Sequence, residues 1–170
     1  CRTQFLCMLD DDLRLFVRDS VRGAGCGKDG KYALKIPATR DISRLFVELR
    51  SQLDQFAHAG VSMRMGNQSR MPGWHTGKRM VYVLAYDLNV LRQYARFDAV
   101  AHREDMHVTL ELLTHGFQNS VSYEFAADQT YASSGGEKAA GRDMRESSED
   151  AEKLASAFPD FVKVSEKAYK

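Results

Sequence analysis

Apolar and polar positions alternate with a period of two in several short stretches of this chain, and recur every three to four residues between them. Tyr32, Leu34 and Ile36 alternate with Ala33 and Lys35, which predicts a half-buried strand closed by Pro37. Thr39 or Asp41 then caps a helix, because Ile42, Leu45, Phe46, Leu49, Leu53 and Phe56 fall on one helical stripe that Gly60 ends. Val61, Met63 and Met65 alternate again as a second strand. After a loop rich in Gly and Pro, Met80–Tyr86 is an almost continuous apolar and aromatic run, the signature of a central strand. Leu88–Ala95 reads as a short helix. Met106, Val108, Leu110 and Leu112 alternate with His107, Thr109 and Glu111 as a fourth strand, and Val121, Tyr123 and Phe125 suggest an added edge strand.

In this order the elements predict an α+β fold of ferredoxin-like split βαββαβ type. Right-handed crossovers would place two helices on one face of a four-stranded antiparallel sheet. This domain would span residues 31–113. Residues 1–30 would form an N-terminal extension: Phe5, Leu6, Leu9, Leu13, Phe16, Val17 and Val21 share a helical face, and the four glycines of Arg22–Gly30 make a hinge. Residues 114–170 would form a C-terminal extension. There Tyr131–Asp150 reads as a solvated linker, and a short helix starting near Ser147 is limited by Pro159.

Composition narrows the picture. The chain has 170 residues, 44% hydrophobic and 28% charged, which suits one modest globular core with extensions. Its net charge of +1 excludes a basic-tail polyanion binder, so any such site must be a local patch. No apolar run approaches the ~20 residues of a membrane-spanning helix, and no membrane contact is expected. The chain starts at Cys1 rather than Met, compatible with a removed targeting peptide or a partial sequence. Three cysteines without a C-x-x-C pair point to a reducing compartment.

Signs of catalysis are scarce. There is no nucleophile elbow, P-loop or H-E-x-x-H helix, and no cofactor is implied. Asp98, His102, Glu104, Asp105 and His107 are the densest titratable cluster. They read as a polar turn rather than an acid/base pair or a metal site. The basic stretch carries more. Between Gly60 and Arg103 seven cations (Arg64, Arg70, Lys78, Arg79, Arg92, Arg96 and Arg103) face two acids, with Trp74 and His75 in the central loop. Such cations satisfy phosphates, and an exposed Trp stacks on an unpaired base. Solubilising surface charge, with Trp74 folded back on the core, explains the same composition.

Four segments together resemble the bacterial-type small-subunit ribosomal protein six family, especially its organellar members. They are KYALKIP (Lys31–Pro37), AHAGV (Ala57–Val61), RMPGWHTGKRMVYVL (Arg70–Leu84) and LRQYARFDAVAHR (Leu91–Arg103). The resemblance covers about half the chain and departs from the family where Gly73 and Trp74 follow Pro72 and where Ala33 follows Tyr32. It implies a non-catalytic protein of a mitochondrial small ribosomal subunit, with plastid or cytoplasm as alternatives. Such a protein binds ribosomal RNA beside the ribosomal protein eighteen homologue, and its extensions contact other ribosomal proteins. With the basic stretch, it marks Lys31, Tyr32, Arg64, Arg70, Trp74, His75, Lys78, Arg79 and Arg103 as RNA-contacting candidates. Two rivals share the expected fold. One is a ligand-sensing or dimerising module. The other is an acylphosphatase-like hydrolase, which needs a glycine cradle that the IPATRD segment around Arg40 lacks.

Overall fold

The computed structural model describes residues 4–19, 33–67, 70–100, 103–129 and 144–165. In chain order the elements are β1 (Phe5–Leu9), β2 (Leu13–Arg18), β3 (Leu34–Lys35), α1 (Thr39–Gln52), β4 (His58–Met63), α2 (Arg64–Asn67), β5 (Trp74–Thr76), β6 (Val83–Asp87), α3 (Leu88–Tyr94), α4 (Glu104–Thr114), β7 (Asn119–Gln129) and α5 (Met144–Ala157). The α2 segment is a kinked turn, since Met65 and Gly66 leave helical geometry.

The protein is α+β, but its sheet is not the expected four-stranded antiparallel one. Seven strands form one mixed sheet in the order β1-β6-β4-β7-β2-β3, with β5 also paired to β7. The β4–β7 pair is parallel. The βαββαβ path would have made every pair antiparallel.

Three expected elements change type or place. Residues 5–18 are strands, not a helix: Leu13, Leu15 and Val17 line one face of β2 while Phe16 and Arg18 bury on the other. With apolar residues on both faces, a strand mimics a helical stripe. Residues 104–114 are a helix, not a strand. Val108 and Leu112 pack on the sheet while Leu110 and Met106 meet Leu154 and Phe158 near α5. A helix held between two layers buries residues two apart in different directions, which imitates strand alternation. Finally, Val121–Phe125 lies in the longest strand, paired with β4, β2 and β5, and not at an edge. The sheet therefore runs across both boundaries expected at residues 30 and 113. The Arg22–Gly30 hinge lies outside the described residues.

Two apolar layers sandwich the sheet. On one face Leu45, Leu49 and Leu53 at α1 meet Val17, Ala59, Val61, Val83, Ala85, Phe125 and Ala127. On the other, Leu91, Val108 and Leu112 of α3 and α4 meet Leu84, Tyr86, Val121 and Tyr123. The first face is concave. The Asp10–Asp12 link joins β1 to β2 and spans at most about 14 Å, yet four spacings of about 4.8 Å separate those strands in a flat sheet. The sheet must curl, and Cys7 of β1 and Leu13, Leu15 and Val17 of β2 all reach the α1 cluster. Gly60 is obligatory in β4, because a Cβ there would lie 2.7 Å from the Val83 carbonyl oxygen and 2.9 Å from Met80 Cβ.

One irregularity positions everything that follows. Between Val61 and Ser62 the β4–β7 register jumps from Ser122 to Ala126, so Tyr123, Glu124 and Phe125 bulge from β7. The bulge switches faces: Val121 and Tyr123 pack with α3 and α4, whereas Phe125 packs with α1.

Candidate anion-binding surfaces

The bulge strips carbonyl groups of their ladder partners, and buried side chains replace them. Arg18, only 5% exposed, donates from Nε to Tyr123 O at 2.9 Å and from Nη2 to Asn67 O at 2.6 Å and Arg70 O at 3.0 Å. Asn67 Nδ2 donates to Ser62 Oγ at 2.6 Å, Tyr123 O at 3.3 Å and Phe125 O at 3.2 Å. Ser62 Oγ in turn donates to Phe125 O at 3.1 Å. This network holds the Asn67 and Arg70 carbonyls and so helps fix where two arginines emerge.

Those arginines are Arg64 and Arg70. The Arg64 guanidinium lies 4.5 Å from the Phe16 ring centroid and bonds Asp128 at 3.3 Å. The Arg70 guanidinium lies 5.7 Å from the Tyr123 ring. His75 meets the same ring edge-on at 5.0 Å, with Nε2 3.0 Å from Met71 O. Met65 and Met71, 83% and 65% exposed, flank the arginines in the chain.

The other expected contact residues do not join them. Trp74 is half-buried on the α1 side, and its Nε1 donates to Glu48 Oε2 at 3.3 Å. The indole packs partly on the core, the alternative arrangement read from the sequence. The Lys78 backbone is clamped at the start of β7, its N–H donating to Asn119 Oδ1 and its O accepting from Asn119 Nδ2. Asn119 and the Asp128 that holds Arg64 are nine residues apart in β7, roughly 25–30 Å along a strand. Arg79 and Arg103 sit near Asp105 instead, whose carboxyl is raised by burial despite those two cations. Arg103 takes a left-handed conformation, φ 69°, just before α4. Lys31 and Tyr32 lie outside the described residues.

A second cationic surface lies on the concave face. A cleft of about 460 Å³ is lined by Val17, Arg18, Lys35, Arg40, Asp41, Arg44 and Glu124. Arg44 is held over the Phe125 ring at 4.8 Å by Glu124 at 3.2 Å and Glu48 at 3.6 Å. Lys35 bonds Asp19 at 3.5 Å. Asp41 Oδ2 accepts from the Ala38 N–H at 2.9 Å and so caps α1. Sequence reading missed this cleft because its walls come from four distant segments. The only local trace of it is the placing of Arg40 and Arg44 one helical turn apart just after Lys35, which does not by itself define a cleft.

The titratable cluster of residues 98–107 disperses. Asp98 pairs with Arg96 at the surface, and that guanidinium holds its carboxyl low. His107 stands edge-on to Phe158 with Nδ1 3.4 Å from Glu111 Oε2. His102 lies outside the described residues. Among the described residues no group of His, Cys, Asp or Glu has the geometry of a metal site. None of the helices described is long and apolar enough to cross a membrane.

A fully buried histidine stands at the far end of the network's face. His58 Nε2 lies 3.0 Å from Phe117 O and its ring stacks on Tyr86, while Nδ1 is buried with no hydrogen-bond partner. Burial holds this imidazole down at about 4, against the Phe117 bond that raises it. Burial pushes the neighbouring Tyr86 hydroxyl far up. Compared with known protein families, curated proteins and solved structures, the chain matches none.

Proposed function

We propose that this chain is a non-catalytic RNA-binding protein whose contact surface is the 64–75 side of the β7 bulge. The observation that carries this reading is the pair Arg64 and Arg70, fixed over Phe16 and Tyr123 beside two exposed methionines. Planar guanidinium groups suit phosphate oxygens, and exposed apolar side chains suit unpaired bases. The Arg64–Asp128 pair is half-exposed, and such pairs contribute about 0–1 kcal/mol, so a phosphate can displace the carboxylate.

The test is binding of a single-stranded RNA oligomer to the full chain across a salt series. The double variant Arg64→Glu, Arg70→Glu is expected to weaken binding and lower the salt slope by about two. Unchanged affinity and slope would remove the proposal.

Its narrower form is a mitochondrial small-subunit ribosomal protein lying beside the ribosomal protein eighteen homologue. The family likeness rested on motifs ordered along a βαββαβ path, and the sheet follows another path. This form therefore depends on sedimentation. Co-migration with small subunits in a gradient supports it, and protein remaining at the top while subunits migrate rejects it without touching RNA binding itself.

A further inference from the structure

We propose that the cleft at the start of α1 binds a phosphorylated ligand of mononucleotide size through its phosphoryl group, at a site separate from Arg64 and Arg70. A volume of about 460 Å³ falls within the range of small-molecule sites, about 300–1,000 Å³.

The charges around the cleft favour an anion. Lys35, Arg40 and Arg44 approach it from β3 and α1, against Asp41 and Glu124. Asp41 is engaged with the Ala38 N–H, so its charge serves the helix start. Glu124 is engaged with Arg44. Arg40 has no ion-pair partner among the described residues, and it stands in the first turn of α1, where backbone N–H groups and the helix dipole also favour negative charge.

The Arg44 guanidinium is ordered before any ligand arrives, because Phe125 lies beneath it and Glu124 and Glu48 hold its edge. Among the described residues the ion-pair partner of Lys35 is Asp19, and 41% of the Lys35 side chain is exposed. A phosphoryl dianion entering between Arg40 and Arg44 gains two guanidinium groups and the half-exposed Lys35 ammonium, exchanging weak surface pairs for stronger charge-assisted bonds.

The experiment is calorimetric titration of the full chain with inorganic phosphate, adenosine 5′-monophosphate and adenosine. Phosphate and the nucleotide are expected to bind and adenosine to fail. Arg40→Glu, an exposed position whose variant should keep the wild-type melting temperature, is expected to weaken nucleotide binding about tenfold or more. Lys35→Gln should weaken it less, and the Arg64→Glu, Arg70→Glu variant should leave it unchanged. Competition by a 5′-phosphorylated RNA oligomer but not its 5′-hydroxyl form would assign the phosphoryl group to an RNA end, and competition by neither would assign it to a free nucleotide. The proposal is overturned by no binding of phosphate or nucleotide at millimolar concentration, by equal binding of adenosine, or by affinity indifferent to Arg40→Glu.

Discussion

The two ends of β7 both bury polar side chains, with opposite consequences. At the bulge end, Arg18, Ser62 and Asn67 occupy positions where the register jump has left carbonyls without ladder partners. Their donors meet carbonyl oxygens that the broken ladder has freed, although Asn67 Oδ1 is buried there without a partner. At the other end the β4–β7 ladder is regular from His58 to Val61 and leaves no such vacancy. His58 finds one acceptor, Phe117 O, and its second ring nitrogen finds none. Where the main chain is broken, several buried donors find carbonyl acceptors; where it is whole, the buried imidazole finds one.

The largest expected effect breaks the bulge end. Arg18→Met removes the donor to three carbonyl oxygens and should cost about 3–5 kcal/mol in urea unfolding. A loss below about 1 kcal/mol would mean that water replaces the guanidinium and that the network is not what fixes the 64–70 segment.

The next effect is a pH dependence from the other end. His58 titrates near 6.5 when unfolded and about 4 when folded. Between those values the unfolded chain binds the extra proton, so stability falls as pH drops from 6.5 to 4, in total by about 3 kcal/mol, and is unaffected by this residue above that window. Asp10 and Asp105, both raised by burial, act in the opposite sense as pH falls. The informative quantity is therefore the difference between wild type and His58→Gln in melting temperature against pH. Parallel curves would contradict the buried neutral imidazole.

The smallest effect concerns β5, which pairs with β7 before the bulge. Trp74→Phe keeps a ring but loses the bond to Glu48, an expected cost of about 1 kcal/mol. Trp74 is the single tryptophan of the chain, so its emission should not change when RNA is added. A strong change would return the indole to the contact surface and away from the core.

Legibility in the sequence followed how many layers touch each element. The α1 stripe, β6 and α3 emerge from periodicity because each presents a simple pattern to its neighbours: Leu45 and Leu49 bury, and Val83–Tyr86 bury on both faces. The second strand is found only in part, since Gly60, expected to end the helix, lies inside β4, and Met65 lies outside it. Residues 5–18 and 104–114 were misread because burial on two sides blurs periods of 2 and 3.6 into each other. Sheet order was unreadable, since no local pattern says that Leu13 pairs with Gln129. Of the candidate site, Arg64 and Arg70 were visible as basic residues in a polar loop. What fixes them, Arg18 beneath and Tyr123 beside, comes from strands far away in the chain on either side, Arg18 standing 52 residues before Arg70. The α1 cleft was invisible for the same reason, because Glu124 and Phe125 complete it only through the bulge.

The bond from Arg18 to Tyr123 joins residues 105 apart in the chain, and β2 has its long pairing with β7. Loop closure on this scale makes for slow folding. Until β7 forms, β2 lacks its main neighbour, and β1 waits for β6 with a strand of Phe, Leu, Cys, Met and Leu that carries no charge. Such a segment is prone to pair with other copies while it waits. Refolding yield should therefore fall steeply with protein concentration, so the long reach that completes the sheet also sets the time during which the chain is vulnerable.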